Sequence, residues 1–522
     1  MRSFGARPLV LLAVAALAAV PVGAQAQPPL RIAWWTDVGF PTPFAFSTLG
    51  PGGVVRLTLL YDTLVWKDER GLIPWLAESW RASPDGRAYV FTLRGGVRWH
   101  DGRELTAHDV KFTFDYYRKH PFRWVDVSIV TAAEVRDRRT VVLRSREPYA
   151  PFLENVAGVV PIVPQHIWRD VTQPERAQEL RFAIGSGPYR LAEYRPEAAQ
   201  YRFVAYDGYF RGRPVVREIH YVLVPTARQV LAVQSGQVDV GHATTYDVVG
   251  LFASHPYLRV MQTEPLSIAR LIFHMDRLPT SHRSFRRAVA HALDRRRIAE
   301  TITRGPAPVG SPGVVPPTDP WYNPNVADYP HDRDRARALL RELGYMDRDG
   351  DGWLEAPDGQ RLAVELVSSP AGDLQLVQQM LAEVGIDVRL RTVDPATRTQ
   401  LAAEGRFQLL FSTHIGSGGD PDYLRTWFVG VDANQFAVGS VMRSPTYARL
   451  AELQLRTLDP TGRRRYVDQM QVLLSQELPT FPLYYRRFFW IYDSRRFTPV
   501  ATRGGLLNGI PLVENKLAFL SR

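Results

Sequence analysis

Cysteine is absent from all 522 residues. That excludes disulfides, thiolate nucleophiles, thiolate metal sites and a lipid-bearing cysteine anchor. Lysine is nearly absent: Lys67, Lys111, Lys119 and Lys516 are the four, so 64 − 4 = 60 of the basic residues are arginine. The arginines are spread evenly and form no tract such as a nucleic-acid-binding arm shows. The formal charge of +11 therefore reads as composition, and no nucleic-acid partner is expected. Signatures of catalysis are missing too. There is no Gly-x-Ser-x-Gly elbow, His-Glu-x-x-His pair, Walker loop or dinucleotide fingerprint, and no carboxylates stand out as a general acid/base pair.

Long apolar runs are also lacking, apart from one near the start. Arg2 and Arg7 precede an apolar stretch from Leu9 to Val20, followed by Ala24-Gln25-Ala26. This pattern predicts a secretory signal over residues 1–26, cleaved to leave Gln27 first, and its loss would lower the charge from +11 to +9. The run is shorter than the roughly 20 apolar residues that span a bilayer. The remaining composition, 45% hydrophobic and 22% charged, is that of a soluble globular protein long enough for several domains. Strand-like alternation at Tyr201 to Tyr206 and helical spacing from Asp334 to Leu343 predict α/β lobes.

The richest segment runs from Tyr61 to Tyr117. A strand-like run from Tyr61 to Trp66 meets a charged turn, and Ser83-Pro84-Asp85-Gly86 has the composition of a tight turn. Ala88 to Arg94 and Val97 to His100 read as strands. Thr106 is a candidate N-cap, with Asp109 in the place of a capping-box Glu. Further on come Gly185-Ser186-Gly187-Pro188-Tyr189, a helix from Ala227 ending in Ser235-Gly236-Gln237-Val238-Asp239, an arginine-led helix from Phe285 to Asp294, and Gly418-Gly419-Asp420-Pro421-Asp422. In wording and order these five segments resemble the periplasmic substrate-binding proteins of the peptide/nickel class of ABC importers.

The resemblance implies a periplasmic binding protein-like fold of type II, cluster C: α/β, bilobal, with an extra inserted domain. The implied layout has a discontinuous lobe I of residues 27–61, 181–275 and 481–522. An inserted lobe II covers 62–180, and a third lobe covers 276–480. The implied role is a periplasmic solute-binding receptor, not an enzyme, that binds a small peptide or peptide-like polar solute and delivers it to an inner-membrane ABC permease. A nickel or metal-chelate receptor of the same fold is one alternative, and a secreted hydrolase a disfavoured other. A freely diffusing monomer needing no cofactor is expected.

Candidate ligand contacts follow from segments that line the cleft in relatives: Trp34, Trp35, Asp37, Ser47, Tyr246, Arg270, His274, His414, Ser417, Asp420, Asn434 and Phe436. In peptide-binding relatives an acidic residue four places before the Asp-Pro proline holds the peptide α-ammonium. Here that place is Ser417, whose hydroxyl cannot supply an ionic bond, and Asp420 is the candidate substitute. A cationic Arg270 in the cleft would favour a carboxylate-bearing ligand. Separately, Asp347, Asp349, Asp351 and Asp358 stand at positions one, three, five and twelve of a loop with Gly350 and Gly352, close to calcium-loop spacing. Asp replaces the usual bidentate Glu at position twelve, so a structural calcium and a tight polar turn both remain open readings.

Overall fold

A computed structural model describes residues 27–46, 52–122, 124–369, 374–429, 440–506, 509–510 and 514–520. The expected signal, Ser47, Asn434 and Phe436 lie outside the described residues.

Two large sheets organise the chain. A seven-stranded sheet takes Leu30–Trp34 as its central strand, flanked in parallel by Glu218–Leu223 and Val240–Ala243. Its remaining strands are Leu258–Gln262 and Phe489–Asp493 on one side and Gln200–Ala205 and Tyr189–Arg195 on the other. A five-stranded sheet has the order Asp387–Thr392, Ala363–Ser368, Leu409–Ile415, Ser267–Phe273 and Thr480–Arg486. A smaller four-stranded antiparallel sheet, from Ala77 to Ser145, carries the helix Ala107–Lys119. That helix starts as its sequence predicts, with the Asp109 carboxylate accepting the Thr106 backbone N–H at 2.9 Å.

Sheet membership corrects the expected layout. Ser267–Phe273 and Thr480–Arg486, assigned largely to lobe I, pair with each other in the five-stranded sheet. The chain passes between the two large sheets at residues 263–266 and 487–488 instead. These two crossings are bonded together: the Thr263 N–H donates to the Phe488 carbonyl at 3.0 Å, and the Phe488 N–H donates to the Thr263 hydroxyl at 2.9 Å.

Two local readings also change. Val97 to His100 forms no strand; only an isolated bridge joins Arg98 to Glu104, because the turn at Asp101-Gly102 folds the segment straight back. Val97 and Trp99 are buried, so their apolar alternation reflects core packing rather than a ladder. Of the run from Tyr61 to Trp66, only Val65 and Trp66 are strand, opening the strand Val65–Asp68. Asp62 instead enters a closed polar cluster, accepting hydrogen bonds from the Trp75 indole at 2.7 Å, the Tyr209 hydroxyl at 2.9 Å, the Ser186 hydroxyl at 2.9 Å and the Lys516 ammonium at 2.6 Å.

Candidate solute-binding site

The turn at residues 416–422 leaves the end of the strand Leu409–Ile415, as its position after an apolar run predicts. Its glycines do permit close backbone approach, but the approaching backbone is the chain's own. A Cβ at Gly509, where φ is +76°, would lie 2.5 Å from the Gly418 carbonyl oxygen. The loop near the C-terminus therefore rests directly on this turn. Ser417 is fully buried beneath it, and its hydroxyl makes no hydrogen bond among the described residues.

Asp420 does not face an open pocket. Both of its oxygens are taken by Arg463, at 2.6 Å each, and both side chains are buried. Arg463 also donates to the Gln454 side-chain carbonyl, whose amide nitrogen in turn donates to Asp422. The candidate substitute for the ammonium contact is thus already neutralised by a forked cation. Sequence reading missed Asp319, a half-buried carboxylate in this neighbourhood. Burial raises its pKa to about 6, while the Trp321 N–H bond lowers it and the charges of Glu264 and Asp420 raise it further.

Arg270 and His414 come together on the five-stranded sheet. Arg270 pairs with Ser412 and Ile268 with His414, and residues directly opposite or two apart share a face. Trp427, from the helix Tyr423–Phe428, covers this spot. Its ring lies 4.4 Å from the Arg270 guanidinium and 4.6 Å from the His414 imidazole. Arg398, from the helix Pro395–Ala403, donates to the Ser412 hydroxyl at 3.4 Å. Burial, and then the charge of Arg398, pulls Arg270 down to about 9. Burial, followed by both arginines, pulls His414 down to about 3, so its ring is neutral. His274 does not join them. It lies past the other end of the strand, six residues or about 20 Å from Ile268, packed on Phe407 at 5.2 Å.

The remaining candidates sit on the seven-stranded sheet. Trp34 is buried and stacks on half-buried Trp35 at 4.1 Å, with Trp35 in turn tilted on His242 at 4.6 Å. Trp34 is core, and Trp35 is the ring left partly open. The Asp37 carboxylate is internal, accepting the Tyr194 hydroxyl at 2.8 Å and the Tyr201 hydroxyl. Tyr246 packs edge-on against Phe489 at 5.8 Å and donates its backbone N–H to Thr303.

The acidic loop brings together a different set from the one its spacing predicts. Asp347, Asp349 and Glu355 offer oxygens within 4.8 Å of one another. Asp351 pairs with Arg361, and Asp358 accepts the Gln360 N–H on a separate turn. Glu355 arrives through its bridge to Met346. Asp347 and Asp349 spend oxygens on the backbone N–H groups of Gly350, Gly352 and Asp351.

Residues 71–436 match the family described as bacterial extracellular solute-binding proteins, family 5, middle region. The chain belongs to that family. It is 26% identical over 439 residues to the dipeptide-binding protein of Escherichia coli strain K12, covering 78% of this chain and 80% of that one. It is 25% identical over 501 residues to the nickel-binding periplasmic protein of the same strain, covering 91% and 92%. NikA from Brucella suis in complex with Fe(III)-EDTA superposes with a TM-score of 0.81 at 24% identity, covering 94% of this chain and 99% of that one. An oligopeptide-binding protein from Thermotoga maritima gives 0.82 at 22% identity, covering 95% and 99%. The fold is accordingly that of the type II periplasmic binding proteins. No helix among the described residues is long and apolar enough to cross a membrane.

Proposed function

We propose that the chain is the periplasmic receptor of an ABC importer. It captures a small polar solute between the parts built on the two large sheets, hands it to an inner-membrane permease, and catalyses no reaction. One observation carries this reading: the two bonded crossings at residues 263–266 and 487–488, which join the sheets beside the Gly416 turn. Paired crossings of this kind let two rigid bodies close on a ligand by small backbone rotations.

Relatives named for dipeptides and for nickel leave two solute classes in view. Among the described residues the only group of three metal-ligating side chains is that of exposed Asp347 and Asp349 with buried Glu355, away from the Gly416 turn in sequence. A metal would therefore travel as a chelate bringing its own ligands. For peptides, Ser417 and the neutralised Asp420 disfavour a free α-ammonium. The solute favoured here is peptide-like or otherwise polar, without that group.

Native mass spectrometry of protein isolated from the periplasm tests the assignment. A co-purified small solute is expected. Solute-free protein that instead hydrolyses members of an ester, amide and glycoside panel would overturn it.

A further inference from the structure

Three buried arginines in this protein are held by oxygen partners. Arg286 donates to the carbonyls of Glu477, Thr280 and Ser281. Arg295 reaches Asp328 and the Gly310 carbonyl, and Arg463 holds Asp420. Arg56 is an exception, packed against Trp34 and Tyr221 with its Nε and one terminal nitrogen unbonded among the described residues, but the opposing charge of Glu514 acts on it. Arg270 has no such opposing charge among the described residues. It is 2% exposed, its Nε makes no hydrogen bond, and no ion pair among the described residues includes it. The charge that acts on it is another cation, Arg398, which likewise has no carboxylate partner among the described residues.

A buried cation beside a half-buried one, with no counter-ion among the described residues, opposes folding by desolvation and by mutual repulsion. An anion supplied from outside would remove both costs. The surroundings suit an oxyanion. Trp427 lies across the Arg270 guanidinium, the Ser412 hydroxyl sits on the same sheet face, and a guanidinium fork matches the two oxygens of a carboxylate. The cluster lies on the strand that feeds the Gly416 turn, with His414 two residues from that turn. We propose that Arg270 and Arg398, with Ser412, bind the oxyanion of the captured solute, a carboxylate. This inference rests on the receptor reading above.

Calorimetry tests it with acetate, succinate, citrate, N-acetyl-dialanine and its C-terminal amide, and sodium sulfate as the inorganic counterpart. The unmutated protein is expected to bind at least one organic acid saturably, to bind the amide more weakly, and to lose about tenfold to a hundredfold in acid affinity on Arg270→Gln. Arg398→Gln, at a half-buried site less prone to misfolding, should weaken the same acids, and Arg270→Lys should recover only part of the loss. Saturable binding of sulfate but of no organic acid would overturn the assignment to the solute. Absence of anion binding, or acid affinity unchanged from the unmutated protein in both Gln variants, would overturn the site itself. Native mass spectrometry separates the two levels: a neutral co-purified solute retained by Arg270→Gln would leave the receptor reading standing while removing the oxyanion site.

Discussion

Arg463 grips Asp420 through both terminal nitrogens, each 2.6 Å from one carboxylate oxygen. The Asp-Pro turn is thereby tied to the helix Pro460–Glu477, and its first carboxylate is lost to ligand chemistry. An ammonium ligand arriving at the turn would meet a compensated ion pair and the uncharged hydroxyl of Ser417. Neither Ser417 nor Asp420 therefore offers an uncompensated carboxylate to an ammonium.

Unmodified di- to pentapeptides should accordingly bind poorly, and Ser417→Asp should improve their binding. An ionic hydrogen bond is worth about 1.5–3 kcal/mol, or about tenfold to a hundredfold in affinity. Calorimetry of both proteins against one peptide set checks this. Tight binding of free-amino peptides by the unmutated protein would sink the idea and pass the ammonium contact to Asp319.

Lys516 and Asp62 are both fully buried, and the ammonium lies 4.1 Å from the Trp66 ring centroid. This pair fastens the C-terminal segment to the chain just before the small sheets. Lys516→Met removes the cation and leaves Asp62 charged in the core, a change that costs about 3–5 kcal/mol. Urea unfolding should register a loss of that order. An unchanged midpoint would mean the cluster's neutral donors suffice for Asp62.

His100 is buried, accepting the Gly185 N–H at its Nδ1, 3.1 Å away, and bonding the Gly187 carbonyl through Nε2 at 3.0 Å. That arrangement needs the neutral ring, and burial lowers its pKa to about 4. The unfolded ring titrates near 6.5, so between pH 6.5 and 4 the unfolded state binds more protons. The stability this histidine contributes is complete above pH 6.5 and declines as pH falls, by up to about 1.4 kcal/mol per unit. His242, lowered to about 4 chiefly by burial, acts in the same window. Urea midpoints across that range should fall with acid, and His100→Asn should flatten the slope. An identical slope in the variant would remove His100 from the account.

For the acidic loop, the occupied oxygens of Asp347, Asp349 and Asp351 favour the polar turn. Calcium is expected to leave the melting temperature unchanged. A rise that a chelator reverses and Asp349→Ala abolishes would instead establish a metal held by Asp347, Asp349 and Glu355.

Much of the local structure was readable in advance. Ser83-Pro84-Asp85-Gly86 closes with the Gly86 N–H on the Ser83 carbonyl at 2.9 Å, and Asp109 caps its helix. Both depend on residues three apart, where side-chain type decides backbone conformation directly. Val97 to His100 misled because alternation reports burial, and a buried hairpin-like loop alternates as a strand does. Arg398 is one arginine among 60 and carries no local signal, although strand alternation places Ser412 on the face of His414.

The family, the α/β class and the uncharged residue at position 417 were determined by the sequence alone, since each is a matter of residue type in a short, ordered pattern. Which charges meet was decided by the tertiary structure. Asp420 finds Arg463 because a helix from far along the chain packs beside the turn, and Arg270 finds Arg398 because sheet register and a covering helix place them together. Electrostatic pairing falls off over a few ångströms, and those distances exist only once distant segments have packed.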